Sequence, residues 1–143
     1  MINHSLDDRY TDKAEVVNHD GVSFPCIKAK TLIDIDVTGV DAIFVNEGQF
    51  FADLVAACEL WADEMQLQVF VCGLDGDFKR GVFGSLLSLI PLADEVHKLH
   101  AYCFKCKDGT LAPFSKRITT EADQISIGAS NYIAACRKHY LEN

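Results

Sequence analysis

Apolar residues fall in five stretches between positions 40 and 103, and their spacing differs from one to the next. The opening thirty residues have no sustained apolar face, and LDDRYTDKAEVVNHDG (6–21) is rich enough in Asp, Asn and Gly to predict loop with short regular pieces. VDAIFVN (40–46) is short, β-branched and nearly continuously apolar, which predicts a strand buried on both faces of a parallel sheet. FADLVAACELWADEMQ (51–66) carries Phe51, Leu54, Val55, Cys58, Ala62 and Met65 at helical spacing, with Asp53, Glu59, Asp63 and Glu64 elsewhere on the wheel. LQVFVCGLD (67–75) repeats the strand pattern, VFGSLLSLIPLAD (82–94) reads as helix as far as Pro91, and EVHKLHAYC (95–103) alternates like a third strand. Strand, helix, strand, helix, strand predicts an α/β parallel sheet with crossover helices.

Composition narrows the function classes. With 143 residues, 49% of them hydrophobic, the chain can bury a core as one domain or as one with a small appendage. A formal charge of -8 opposes a grip on nucleic acid backbone and points to small ligands. No run is long enough to span a bilayer and MINHSLDDRY is not an apolar leader, so the expected location is the cytoplasm, away from membrane. Six cysteines there call for an explanation other than disulfides.

After residue 102 the long apolar runs stop, and CFKC is followed far downstream by CRKH. The expected division is therefore an α/β domain over 1–102 and a zinc-knuckle domain over 103–143. Cys103 with Cys106, and Cys136 with His139, are two pairs of equal spacing that can close a tetrahedral Cys3His site around zinc. All four positions would be filled by protein, so the metal would be structural. A redox CxxC should start a helix, whereas CFKCKDGT runs into a turn; a deaminase zinc site should have an upstream HxE and a proline before its CxxC, and neither is present. His100 is an alternative fourth ligand, although its alternating context suits a strand face, and Cys26, Cys58 and Cys72 read as inert core thiols.

Ligands of open α/β sheets bind outside the carboxyl ends of the strands, which is where Glu47 stands after the first run. LDGDFKRGVF after the next run brings Asp75, Asp77, Lys79 and Arg80 to that edge with Phe78 and Phe83, a mixture suited to a planar substrate and a phosphate group. The plainer alternatives are a first-turn carboxylate for Glu47, ordinary core packing for the two phenylalanines and a solvated loop for Lys79 and Arg80.

NEGQFF, GLDGDFKRGVFGSLLSLIPLADEVHKLHAYC, PFSKRIT, IGASNYIAACRKHY and LDDRY together resemble the cellular-type, zinc-containing thymidine kinases, over residues 4 to 140. That resemblance implies a P-loop NTPase-like (RecA-like) parallel sheet, truncated at its amino end, with a small zinc-binding lasso domain. It implies transfer of the γ-phosphoryl of ATP, with magnesium, to the 5'-hydroxyl of thymidine, and a homotetramer. Glu47 matches the catalytic base, Arg9 a phosphate-side arginine, and Asp7 an acidic residue near the magnesium, with Arg80 the candidate for stabilising charge beside it. Phe50, Leu74, Phe78 and Phe83 match positions around the thymine ring. Tyr132 and the stretch Asp123, Gln124, Ile125, Ser126 and Ile127 match the lasso that reads the base through backbone groups. Cys103, Cys106, Cys136 and His139 match the zinc ligands. Two departures stand out: these 143 residues contain no GxxxxGK[ST] phosphate loop, and Asn46 replaces the aspartate common before the base. The expectation is a thymidine kinase whose start is absent here, and the alternative a zinc-stabilised, inactive remnant that binds nucleoside or a partner subunit.

Overall fold

The computed structural model describes residues 1–7, 13–18, 20–120 and 131–142. In chain order the elements are β1 (Ile2–His4), β2 (Glu15–Val17), β3 (Ser23–Pro25), β4 (Ile27–Ala29), β5 (Ala42–Asn46), a 3-10 turn (Gly48–Phe50), α1 (Leu54–Glu59), a π-helical turn (Leu60–Glu64) and β6 (Gln68–Val71). A 3-10 helix (Leu86–Leu92), β7 (Ala101–Tyr102), β8 (Leu111–Ala112), β9 (Phe114–Arg117), β10 (Tyr132–Ala135) and α2 (Arg137–Leu141) follow. The contacts divide into two compact units, Met1–Asp75 with Phe83–Ala93, and Gly76–Val82 with Asp94–Asn143.

The first unit is an α/β layer on a four-stranded sheet of order β4-β1-β5-β6, parallel throughout. Ile43 and Val45 of β5 face a core with Ile2, Leu32, Phe51, Leu54 and Trp61. Burial of each large side chain contributes about 1.5–3 kcal/mol. The opposite face of β5 is not covered: Phe44 is 42% exposed and stacks on Phe70, itself 50% exposed, at 4.7 Å. The expectation of a strand buried on both faces is thus corrected, because no layer among the described residues covers that side.

The short regular pieces expected among the amino-terminal residues are four three-residue strands, of which β1 is the most deeply embedded. Ile2–His4 pairs with both β4 and β5, and Asn3 is only 1% exposed. A three-residue strand containing Asn and His carries no local apolar signature; its burial depends on side-chain partners far along the chain. In the helix, the backbone N–H of Met65 bonds to the Leu60 carbonyl, five residues back, at 3.0 Å. That wider turn shifts the buried face. Trp61 is buried, whereas Ala62 and Met65, expected on the apolar side, are exposed.

The second unit comprises small antiparallel pairs, β7 with β8 and β9 with β10, and the short helix α2. The buried residues of its apolar cluster are Cys103, Ala112 and Cys136, too little to hold a fold without a cross-link. The third parallel strand expected over 95–103 does not form. Residues 95–100 have no regular structure, Leu99 is 88% exposed, and Ala101–Tyr102 pairs with β8 instead. An alternating pattern makes a strand only where a neighbour offers a ladder. Among the described residues, no helix is long and apolar enough to cross a membrane.

Candidate functional site

The end of β5 bends sharply. Glu47 takes the left-handed conformation, φ 54° and ψ 43°, which for a residue with a side chain costs about 1–3 kcal/mol and persists only where the surroundings enforce it. They do so from both sides: the N–H of Gly48 donates to the Cys72 carbonyl at 2.9 Å, and that of Phe50 to the Glu47 carbonyl at 3.1 Å. Gly48 lies so close to β6 that a Cβ would sit 2.7 Å from Val71 Cγ1. Next to it, Gln49 is 4% exposed; its Nε2 donates to Glu47 Oε2 at 2.6 Å and its Oε1 accepts the Leu74 N–H at 3.0 Å.

A second chain of hydrogen bonds runs beside this carboxylate. The Cys72 thiol donates to Asn46 Oδ1 at 3.1 Å, Asn46 Nδ2 to Asn3 Oδ1 at 3.1 Å, and Asn3 Nδ2 to Asp7 Oδ2 at 3.0 Å. Every donor points toward Asp7, so the chain is polarised toward one carboxylate. An aspartate at position 46 would lack the N–H that reaches Asn3, which gives the asparagine a structural reason. Desolvation, reinforced by the Glu47 charge, raises the Cys72 thiol above its ordinary value and keeps it a donor. Cys72 is exposed rather than a core thiol; Cys26 is half-buried, and only Cys58 fits the inert core reading, its thiol pushed up to about 11 by burial.

Aromatic rings complete this edge. Phe50 and Phe83 meet edge to face with centroids 5.5 Å apart, and the His4 ring lies 5.6 Å from Phe50 and 4.6 Å from Phe51. Burial lowers the His4 pKa and holds the ring neutral, with Nδ1 accepting the Leu6 N–H at 3.1 Å. The first unit therefore brings together Asp7, Asn46, Glu47, Phe50 and Phe83, with Leu74 entering through its backbone N–H. Gln49 was not singled out from the sequence, although it sits inside the quoted NEGQFF.

Phe78, Arg80 and Tyr132 belong to the second unit. Asp77 shapes the turn that carries Phe78, its Oδ1 accepting the N–H groups of Lys79 and Gly81 at 2.8 Å each. Arg80, at φ 66°, lies 4.9 Å from the centre of the Tyr140 ring and 5.9 Å from that of Phe114. The Arg117 guanidinium stacks 3.7 Å over Phe78 and donates to the Tyr132 hydroxyl. Phe78, Lys79, Lys116, Arg117, Thr119 and Tyr140 line a cavity of 290 Å³. Arg9 and residues 123–127 lie outside the described residues.

The ligand atoms of Cys103, Cys106, Cys136 and His139 lie within 4.8 Å of one another. His139 Nδ1 is 3.3 Å from the Cys103 and Cys106 sulfurs and 3.4 Å from that of Cys136, and Cys106 and Cys136 are 3.9 Å apart. A tetrahedral zinc with Zn–S of about 2.3 Å and Zn–N of about 2.0 Å requires edges of roughly 3.8 Å between sulfurs and 3.5 Å between sulfur and nitrogen. The group can therefore hold a metal ion such as zinc. The Cys136 N–H points at Cys103 Sγ from 3.4 Å and leads the backbone donors that lower that thiol to about 5. Desolvation and the neighbouring Cys103 push Cys106 the other way, up to about 11, so metal uptake displaces its proton. On the far side of the imidazole, His139 Nε2 lies 3.7 Å from Glu142 Oε2, and Lys116 Nζ donates to the His139 carbonyl at 3.0 Å. His100 is not in the group.

The family model described as thymidine kinase matches residues 1–140. The chain is 41% identical to thymidine kinase a of Arabidopsis thaliana, over 100% of the chain and 62% of that protein. It is 43% identical to the thymidine kinase of Oryza sativa subsp. japonica, over 99% of the chain and 54% of that protein. Against the thymidine kinase of monkeypox virus the identity is 39%, over 99% of the chain and 79% of the viral protein. The chain thus spans less than two thirds of the plant relatives' length.

Proposed function

Because the chain belongs to the thymidine kinase family, we propose that it serves the transfer of the γ-phosphoryl of ATP to the 5'-hydroxyl of thymidine, giving thymidine monophosphate. The observation that carries this reading is Glu47, a carboxylate at the carboxyl end of β5, held in a strained backbone conformation and clamped by Gln49. A carboxylate so placed can orient the incoming hydroxyl and accept its proton, while positioning and cations provide most of the acceleration in a loose, highly charged transition state. Phe50, half-buried, offers flat apolar surface for a pyrimidine ring, with the buried Phe83 packed edge to face against it. Phe78, Tyr132 and residues 123–127 take their proposed part in holding the base, and Arg9 and Arg80 theirs on the phosphate side, from the family resemblance.

Magnesium prefers oxygen donors, and Asp7 with Asn46 supplies such donors beside Glu47. Bound with ATP, the ion would neutralise charge on the transferring group. Zinc is the proposed occupant of the Cys3His group, where it would staple the second unit. These 143 residues contain no GxxxxGK[ST] motif.

Titration calorimetry of the zinc-loaded chain with thymidine tests the binding half of this proposal. Saturable binding is expected, weakened about tenfold by Phe50→Leu, as loss of an aromatic face predicts. Equal affinity for thymidine in both proteins would remove the Phe50 ring from the account.

A further inference from the structure

We infer that Gln49 is a positioning residue for the reaction, the group that fixes the Glu47 carboxylate in its working orientation; the inference rests on reading Glu47 as the base. The two hydrogen bonds leave its amide one orientation. A carboxylate only accepts and a backbone N–H only donates, so Nε2 must face Glu47 and Oε1 must face Leu74. One side chain thereby ties the tip of β5 to the segment after β6. The surrounding backbone is fitted to it. A Cβ on Gly73 would lie 2.3 Å from Gln49 Oε1, and one on Gly84, at φ +59°, 2.1 Å from the Gln49 carbonyl oxygen. Glycines from two separate segments thus make room for this residue, Gly73 for its side chain and Gly84 for its backbone. Burial of Gln49 at 4% exposure excludes most competing water from the bond to Glu47.

Glutamate at position 49 separates the two bonds: it retains an acceptor for the Leu74 N–H, loses the donor to Glu47 and sets two carboxylates against each other. Methionine removes both. Side-chain three-bond couplings of Glu47, measured by NMR on the zinc-loaded chain, should report a single rotamer in the unaltered protein and averaged rotamers in Gln49→Glu and Gln49→Met. In the turnover-competent form that carries a phosphate loop, both variants should lower kcat by about ten- to a hundredfold, with thymidine KM changed by less than about threefold. Averaged couplings in the unaltered protein would overturn the inference, and that measurement needs no variant. So would a Gln49→Glu protein with undiminished kcat. If the unaltered protein holds one Glu47 rotamer and the variants lose it, yet no form turns over, the clamp stands and the reading of Glu47 as a base falls.

Discussion

Glu47→Gln should lower kcat for thymidine phosphorylation by about 10² to 10⁴, the range that a positioned general base contributes, and leave thymidine KM within about threefold. The substitution preserves size and the ability to accept a hydrogen bond at one atom, and removes the charge and the basicity. The strained backbone at position 47 is enforced by the Gly48 to Cys72 hydrogen bond and the packing of Gly48 on β6, neither of which uses the Glu47 side chain. The variant should therefore fold and hold zinc normally. Steady-state assays with labelled thymidine, alongside melting curves and metal content, read this directly. A fall of less than tenfold in a folded protein would show that another group takes the proton.

Cys136→Ala should abolish stoichiometric zinc and with it the cooperative melting of the second unit. The buried apolar cluster of that unit is Cys103, Ala112 and Cys136, whereas a structural zinc is worth about 10–16 kcal/mol in small domains that fold around it. Cys136 supplies both a ligand sulfur and the N–H directed at Cys103, at the start of the helix that carries His139. Thymidine KM should rise at least about tenfold as the elements bearing Phe78 and Tyr132 lose their fixed geometry. Acidification should act in the same direction, since Cys106 must give up a proton to bind metal and regains it as pH falls. Metal analysis on the purified variant decides the ligand assignment: an unchanged zinc content contradicts it.

Legibility from sequence followed the range of the interactions involved. The Cys3His group could be read because two short spacings, CFKC and CRKH, state its chemistry locally. β5, β6 and α1 were legible from periodicity. β1 was not, because Asn3 and His4 are buried through partners that only the fold supplies, Asp7, Asn46 and the rings of Phe50 and Phe51. Residues 95–100 alternate as a strand would, but the described sheet ends at β6 and they do not pair with it. The placement of Gln49 depends on Gly73 and Gly84, and no motif within NEGQFF announces two glycines that far downstream.

The most direct test of the central claim is phosphoryl transfer from ATP to labelled thymidine, with magnesium, by the zinc-loaded 143-residue chain and by the same chain carrying a GxxxxGK[ST] strand, loop and helix ahead of Met1. The account predicts turnover in the longer protein, abolished by Glu47→Gln. A longer protein that is folded and zinc-loaded, binds ATP and thymidine, and still transfers nothing would contradict it.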